Sequence, residues 1–124
     1  MGPLQTGVGS ASVVAVAGTV ALFALFLSLT AHLAARNVLG DVPIRNAFLV
    51  GPVPAAIAVV AGALDLPSIP AVVVAVFLDA VLVHYVYDLD RRLTAAVTAI
   101  HAVVSVILGS VVFSLYVLVQ SAPG

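Results

Sequence analysis

A chain of 124 residues that is 64% apolar and only 7% charged does not carry enough polar surface to coat a water-facing globule. Soluble domains carry roughly a quarter of their residues as charges, so the apolar surface of this chain must face lipid. A net charge of −1 excludes the basic field that nucleic acid requires, and the absence of cysteine excludes disulfides, thiolate nucleophiles and thiolate metal sites. The length suits one domain, residues 1–124, built as a single transmembrane bundle.

The charges punctuate four apolar runs. The first span is read over about 10–35. It is too long for a signal-peptide core and no Lys or Arg precedes it, so it is read as a membrane span and not as a cleaved leader. The first loop follows as Arg36 to Asn46, with Gly40, Asp41 and Pro43 favouring a turn. The second span, about 47–64, carries Pro52 and Pro54 one turn in. A helix starting only at Pro54 would be too short to cross a bilayer, so a kinked helix near Gly51–Pro54 is expected. Ala58 and Gly62 are spaced for close backbone approach.

The second loop, Asp65 to Pro70, offers Ser68 as an N-cap with Pro70 in the first turn. The third span covers about 69–87, and the tight segment Asp88 to Arg92 turns the chain into a fourth span over about 93–119, with the QSAPG tail fraying. All four arginines lie in the first and third loops. Lys/Arg bias therefore puts loops 36–46 and 88–92 in the cytoplasm and both termini outside, and Tyr85, Tyr87 and Tyr116 fit interfacial belts. The fold expected is all-α, a four-helix bundle crossing the cell membrane.

Asp79 is the one acidic residue deep inside a span, where an ionisable group needs a partner. If the hairpin of spans three and four turns at Asp90, Asp79 precedes the turn by as many residues as His101 follows it. Antiparallel helices then bring the two to one depth, within reach of a carboxylate–imidazole hydrogen bond. Thr94, Thr98, His101 and Ser105 step around one face of the fourth span. The plain reading is interhelical glue, and the sharper one is a proton- or ion-binding pair.

His32 and His84 are weaker candidates near the arginine ends of their spans, where headgroups would wet them. Asp79 and His84 face different sides of one helix, and no HExxH or HxxxH spacing exists, so no metal site and no cofactor are expected. Haem ligation by His32 and His101 would need equal depths, and theirs differ by more than a turn. His84, Asp88 and Arg91 read as an inner helix cap. Neither a GxSxG serine nor a Gly-rich phosphate loop is present.

Five aspartates with no glutamate, arginine with no lysine, and Ala/Val-rich spans resemble the small four-span membrane proteins of unknown function found in haloarchaea. Length and span count also resemble small multidrug-resistance transporters and fluoride channels. The first-span glutamate of the former and the first-helix Gly/Arg motif of the latter are missing here. The leading expectation is a non-enzymatic membrane component or accessory subunit, with the lipid bilayer, a homo-oligomer or another membrane protein as partner and no nucleic acid. The alternative is an oligomeric small transporter or channel using Asp79 and His101.

Overall fold

The computed structural model describes residues 2–122, with side chains from Ser12 onward. It is all-α: α1 (Gly2–Leu39), α2 (Ile44–Val50), α3 (Pro52–Ala63), α4 (Ser68–Val86) and α5 (Arg91–Ser121). Four stretches are long and apolar enough to cross a membrane: Ser12–Leu39, Ile44–Ala63, Ser68–Val86 and Arg91–Ser121. The helices run further toward the turns than the sequence suggests. Arg36 lies in the last turn of α1, Arg45 in the first turn of α2, and Arg91 opens α5. Each arginine can carry its charged end away from the helix on a long side chain while its backbone stays helical. At the other end, Gln120 and Ser121 remain helical where fraying was expected, and residues 123–124 lie outside the described part.

Three helix ends close through left-handed residues. Gly40 has φ +85 and donates its N–H to the Arg36 carbonyl at 3.0 Å. Asp65 (φ +54) ends α3, with Leu66 N–H reaching the Ala61 carbonyl at 2.9 Å and Asp65 N–H reaching Gly62 at 3.2 Å. Asp88 (φ +53) ends α4 the same way, with Leu89 N–H on the His84 carbonyl at 3.1 Å. These pairings satisfy carbonyls that a helix end otherwise orphans. Aspartate tolerates the left-handed region better than most residues with a Cβ.

One capping expectation changes. Ser68 is the first residue of α4 rather than its cap, and Pro67 takes the cap position without a side-chain bond. Pro70 has no N–H to offer a Ser68 hydroxyl, and the Ala71 N–H already donates to the Pro67 carbonyl at 3.3 Å. At the other hairpin it is Asp90 that caps α5, accepting the Leu93 N–H at 2.8 Å.

The four rods form a ring. α1 packs on α2, α3 and α5, and α4 packs on α2, α3 and α5, while α1 and α4 stand diagonally without approaching each other. The break between α2 and α3 falls at Gly51, which keeps a right-handed helical backbone (φ −59, ψ −38). Pro52 and Pro54 supply no N–H to the carbonyls four residues back, so the ladder is interrupted and the two pieces can differ in direction. A Cβ at Gly51 would collide with the backbone nitrogen, Cα and hydroxyl of Ser28. The close approach of the second span is therefore at Gly51 against α1. Gly62 has open space around it and Ala58 is exposed, so the Ala58/Gly62 pair serves no close approach within the chain.

Packing is concentrated at the arginine end. Ala31, Ala34 and Ala35 of α1, Ala47 and Val50 of α2, Val83 of α4 and Val97 of α5 are buried together. Small residues on α1 let α2 and α3 lie close, where dispersion contacts hold the helices together. Toward the far end the rods separate and side chains from Ser110 to Ala122 are exposed. At 1.5 Å rise per residue, α4 measures about 28 Å and α5 about 46 Å, so α5 runs well past the tip of the α3–α4 hairpin.

Candidate functional site

At the bottom of the packed half, one imidazole bridges two helices that stand diagonally across the ring. His101 of α5 is 3% exposed and Asp79 of α4 is 5% exposed. His101 Nδ1 and Asp79 Oδ2 lie 2.6 Å apart. On its other side, His101 Nε2 is 3.0 Å from the Leu27 carbonyl and 3.1 Å from the Thr30 hydroxyl, both on α1. The Thr30 hydroxyl donates to the Leu27 carbonyl at 3.1 Å and stands 2.8 Å from the Ser105 hydroxyl. The hairpin turning through Asp90 sets the depth of the pair, and the polar face of α5 turns Thr94, Thr98 and His101 inward, where all three are buried.

The geometry fixes the hydrogens. A backbone carbonyl only accepts, so His101 Nε2 carries its proton toward Leu27 and Thr30. Nδ1 and Oδ2 then share one further proton. Either a carboxylic acid donates to a neutral ring, or an imidazolium donates to a carboxylate. Both forms have zero net charge, so a proton can shift across the 2.6 Å contact without altering the total charge buried there.

The structure brings Asp79 and His101 together and leaves the other histidines apart. His32 is half-buried on α1 with its Nδ1 unpartnered among the described residues. His84 packs its ring edge-to-face on Tyr85 at 5.0 Å, and its Nδ1 is 3.4 Å from the Thr94 hydroxyl. It makes no bond to Asp88, which closes α4 through its backbone instead. No group of three His, Cys, Asp or Glu side chains among the described residues could hold a metal ion. Asp79 Oδ1, the Thr98 hydroxyl, the Tyr87 hydroxyl and the Ser28 hydroxyl are buried without protein partners.

Sequence reasoning finds the α4–α5 pair but misses α1. A main-chain carbonyl at Leu27 leaves no mark in a sequence. Thr30 does leave one, as a hydroxyl in an apolar run within one turn of Ser28.

A cavity of about 350 Å³ lies above the pair, among α1, α3, α4 and α5. Phe23, Phe26, Pro54, Ala58 and Val76 are among its walls, and Asp79, His101 and Ser105 lie at its inner end.

These features define an all-α protein of four membrane-length apolar helices, cross-linked inside by a buried aspartate–histidine–threonine network. The chain belongs to a family of unknown function, DUF7473, which it matches over residues 10–123. No curated protein and no solved structure matches it.

Proposed function

We propose that this is a non-enzymatic component of the cell membrane, an accessory subunit or self-associating bundle, with Asp79–His101 as its internal clamp. In this reading the arginine-bearing turns face the cytoplasm and both termini lie outside, and the Asp-rich, Lys-free composition belongs to a salt-loving archaeon. The observation that carries it is the double attachment of His101: both ring nitrogens are spent on tying α4 to α1, helices that stand diagonally across the ring. The turns support the same reading. Apart from Gly51 at the α2–α3 break, Gly40–Pro43, Leu64–Pro67 and Tyr87–Asp90 are all the chain between helices, too little for a catalytic site outside the bilayer.

Reconstitution tests it. Vesicles carrying the protein and an internal pH dye are expected to show no proton or ion flux that depends on Asp79. Purification in mild detergent is expected to return a stoichiometric partner or further copies of the chain. Flux present in the wild type and lost in Asp79→Asn would overturn the reading.

That outcome would favour a small oligomeric transporter, and one observation speaks for it. Asp79 Oδ1 and the Thr98 and Tyr87 hydroxyls are buried and unpaired at the arginine end of α4 and α5. Such groups are the kind that water or a coupling ion satisfies.

A further inference from the structure

His101 makes three interhelical contacts, and how many of them hold depends on how many protons the site carries. Nδ1 meets Asp79 Oδ2 at 2.6 Å, while Nε2 meets the Leu27 carbonyl at 3.0 Å and the Thr30 hydroxyl at 3.1 Å. Two protons satisfy the set: one on Nε2, and one shared between Nδ1 and Oδ2. With both in place, α1, α4 and α5 are tied together and the pair carries no net charge.

Removal of one proton by an aqueous base leaves a single proton for both sides of the ring. If it stays on Nε2, the bare Nδ1 faces a carboxylate oxygen, acceptor against acceptor. If it stays on Nδ1, the bare Nε2 faces the Leu27 carbonyl instead. The second arrangement wins for two reasons. Asp79 Oδ1 is buried without a partner, so the carboxylate receives its hydrogen bond through Oδ2 alone. A hydrogen bond to a carboxylate is also roughly twice as strong as one between neutral groups.

Thr30 completes the exchange. Its hydroxyl donates to the Leu27 carbonyl at 3.1 Å, and rotation about its C–O bond turns that hydrogen onto Nε2. Ser105, 2.8 Å away, then donates to the Thr30 oxygen. The Leu27 carbonyl thereby loses both side-chain donors and faces a lone pair. α1 is the element pushed away, while the bond between α4 and α5 stands.

The other ionisable side chains of the surrounding helices leave this exchange to the pair itself. On α1 they are His32, half-buried with Nδ1 unpartnered, and exposed Arg36. The α2 helix carries only exposed Arg45, and α3 carries none. On α4, His84 is 3.4 Å from the Thr94 hydroxyl, Tyr85 is exposed, and the Tyr87 hydroxyl at the helix end is buried without a partner. The α5 helix adds exposed Arg91, Arg92 and Tyr116. Among the described residues, none of these is bonded to Asp79 or His101.

We propose that Asp79, His101 and Thr30 form a proton-operated latch: with two protons it ties α1 to the α4–α5 hairpin, and with one it releases α1 and keeps the hairpin. The latch rests on the clamp proposed above. It is read from ring nitrogens and amides, so it can fail while the flux assay leaves the clamp standing.

Nitrogen-15 resonance of the histidine-labelled full chain in detergent micelles, with the pH raised stepwise, tests it. The His101 signals are those missing from His101→Gln. Below the transition Nε2 carries hydrogen; above it Nε2 is bare and Nδ1 carries hydrogen. Asp79→Asn offers an amide N–H in place of the shared proton and has none to lose, so its Nε2 stays protonated throughout. Amide exchange supplies the second readout. The buried α1 amides of Ala31, Ala34 and Ala35 are compared with those of Val83 on α4 and Val97 on α5, so the intrinsic effect of pH cancels in the ratio. That ratio rises at least tenfold across the transition in the wild type and stays constant in Asp79→Asn. A bare Nδ1 above the transition, an unchanged exchange ratio, or no proton loss while the bundle stays folded overturns the latch. If Asp79→Asn fails to fold, the wild-type ring and its exchange ratio decide alone.

Discussion

Gly51→Ala is the smallest change expected to disturb the whole bundle. The new methyl would meet Ser28 at its backbone nitrogen and Cα, and backbone atoms cannot swing aside as a side chain can. Restoring ordinary carbon contact means moving α1 back by about 1 Å. Leu27 and Thr30 flank that contact, and their distances to His101 Nε2, now 3.0 and 3.1 Å, would grow past hydrogen-bonding range. Overpacking of this kind costs about 1–3 kcal/mol, and the two interhelical bonds add about 0.6 kcal/mol each, for a loss of about 2–4 kcal/mol. Unfolding in mixed micelles by stepwise addition of sodium dodecyl sulfate, followed by helical circular dichroism, measures the change. Ser28→Ala should not rescue the variant, because only the hydroxyl part of the clash is relieved. An unfolding free energy within about 0.5 kcal/mol of wild type would refute the close approach at Gly51.

Removing the imidazole alone, in His101→Ala, leaves Asp79 buried without its partner and should cost about 3–5 kcal/mol by the same titration. Adding Asp79→Ala to that variant should recover part of the loss, and strictly additive effects would argue against a coupled pair. Asp90→Ala deprives Leu93 N–H of its acceptor and should lower stability by about 1 kcal/mol, with helix fraying at Arg91–Thr94 seen by amide exchange. Asp65→Gly and Asp88→Gly relieve left-handed strain and should each raise stability by about 0.5–1 kcal/mol, whereas Ala at either position should lower it. Because the chain has no cysteine, single cysteines at Arg36 and Arg91 can be labelled in intact vesicles, and both are expected to react from the same face.

Much of this architecture is legible because four long apolar helices leave a coarse signal. Long apolar runs broken by arginine and aspartate mark four helices, and equal spacing about Asp90 puts Asp79 opposite His101. Features that depend on backbone contact are harder to see. The Ala58/Gly62 spacing suggests a packing face, yet a spacing of small residues says only that approach is possible, and α1 uses Gly51 instead. Gly51 stands beside Pro52 and reads as part of a kink, since a glycine next to proline signals a bend equally well whether or not another helix lies against it. Helix ends are underestimated for a related reason. Arg36 and Arg91 look like loop residues by polarity, but a long side chain can carry its charge out of a helix that continues beneath it.

In the bilayer placement proposed above, the unequal lengths of α4 and α5 bear on the surrounding lipid. On the flank of the α3–α4 hairpin, lipids meet a wall about 28 Å tall, close to an unstressed hydrocarbon thickness. On the flank of α5 they meet one taller by about 18 Å, which they match by stretching while the helix leans. In that placement the protein imposes a slope on the membrane around it, thick on one side and ordinary on the other. Neighbours with long spans are favoured along the α5 side, so this inequality of two helices gives the molecule a front and a back within the plane of the membrane.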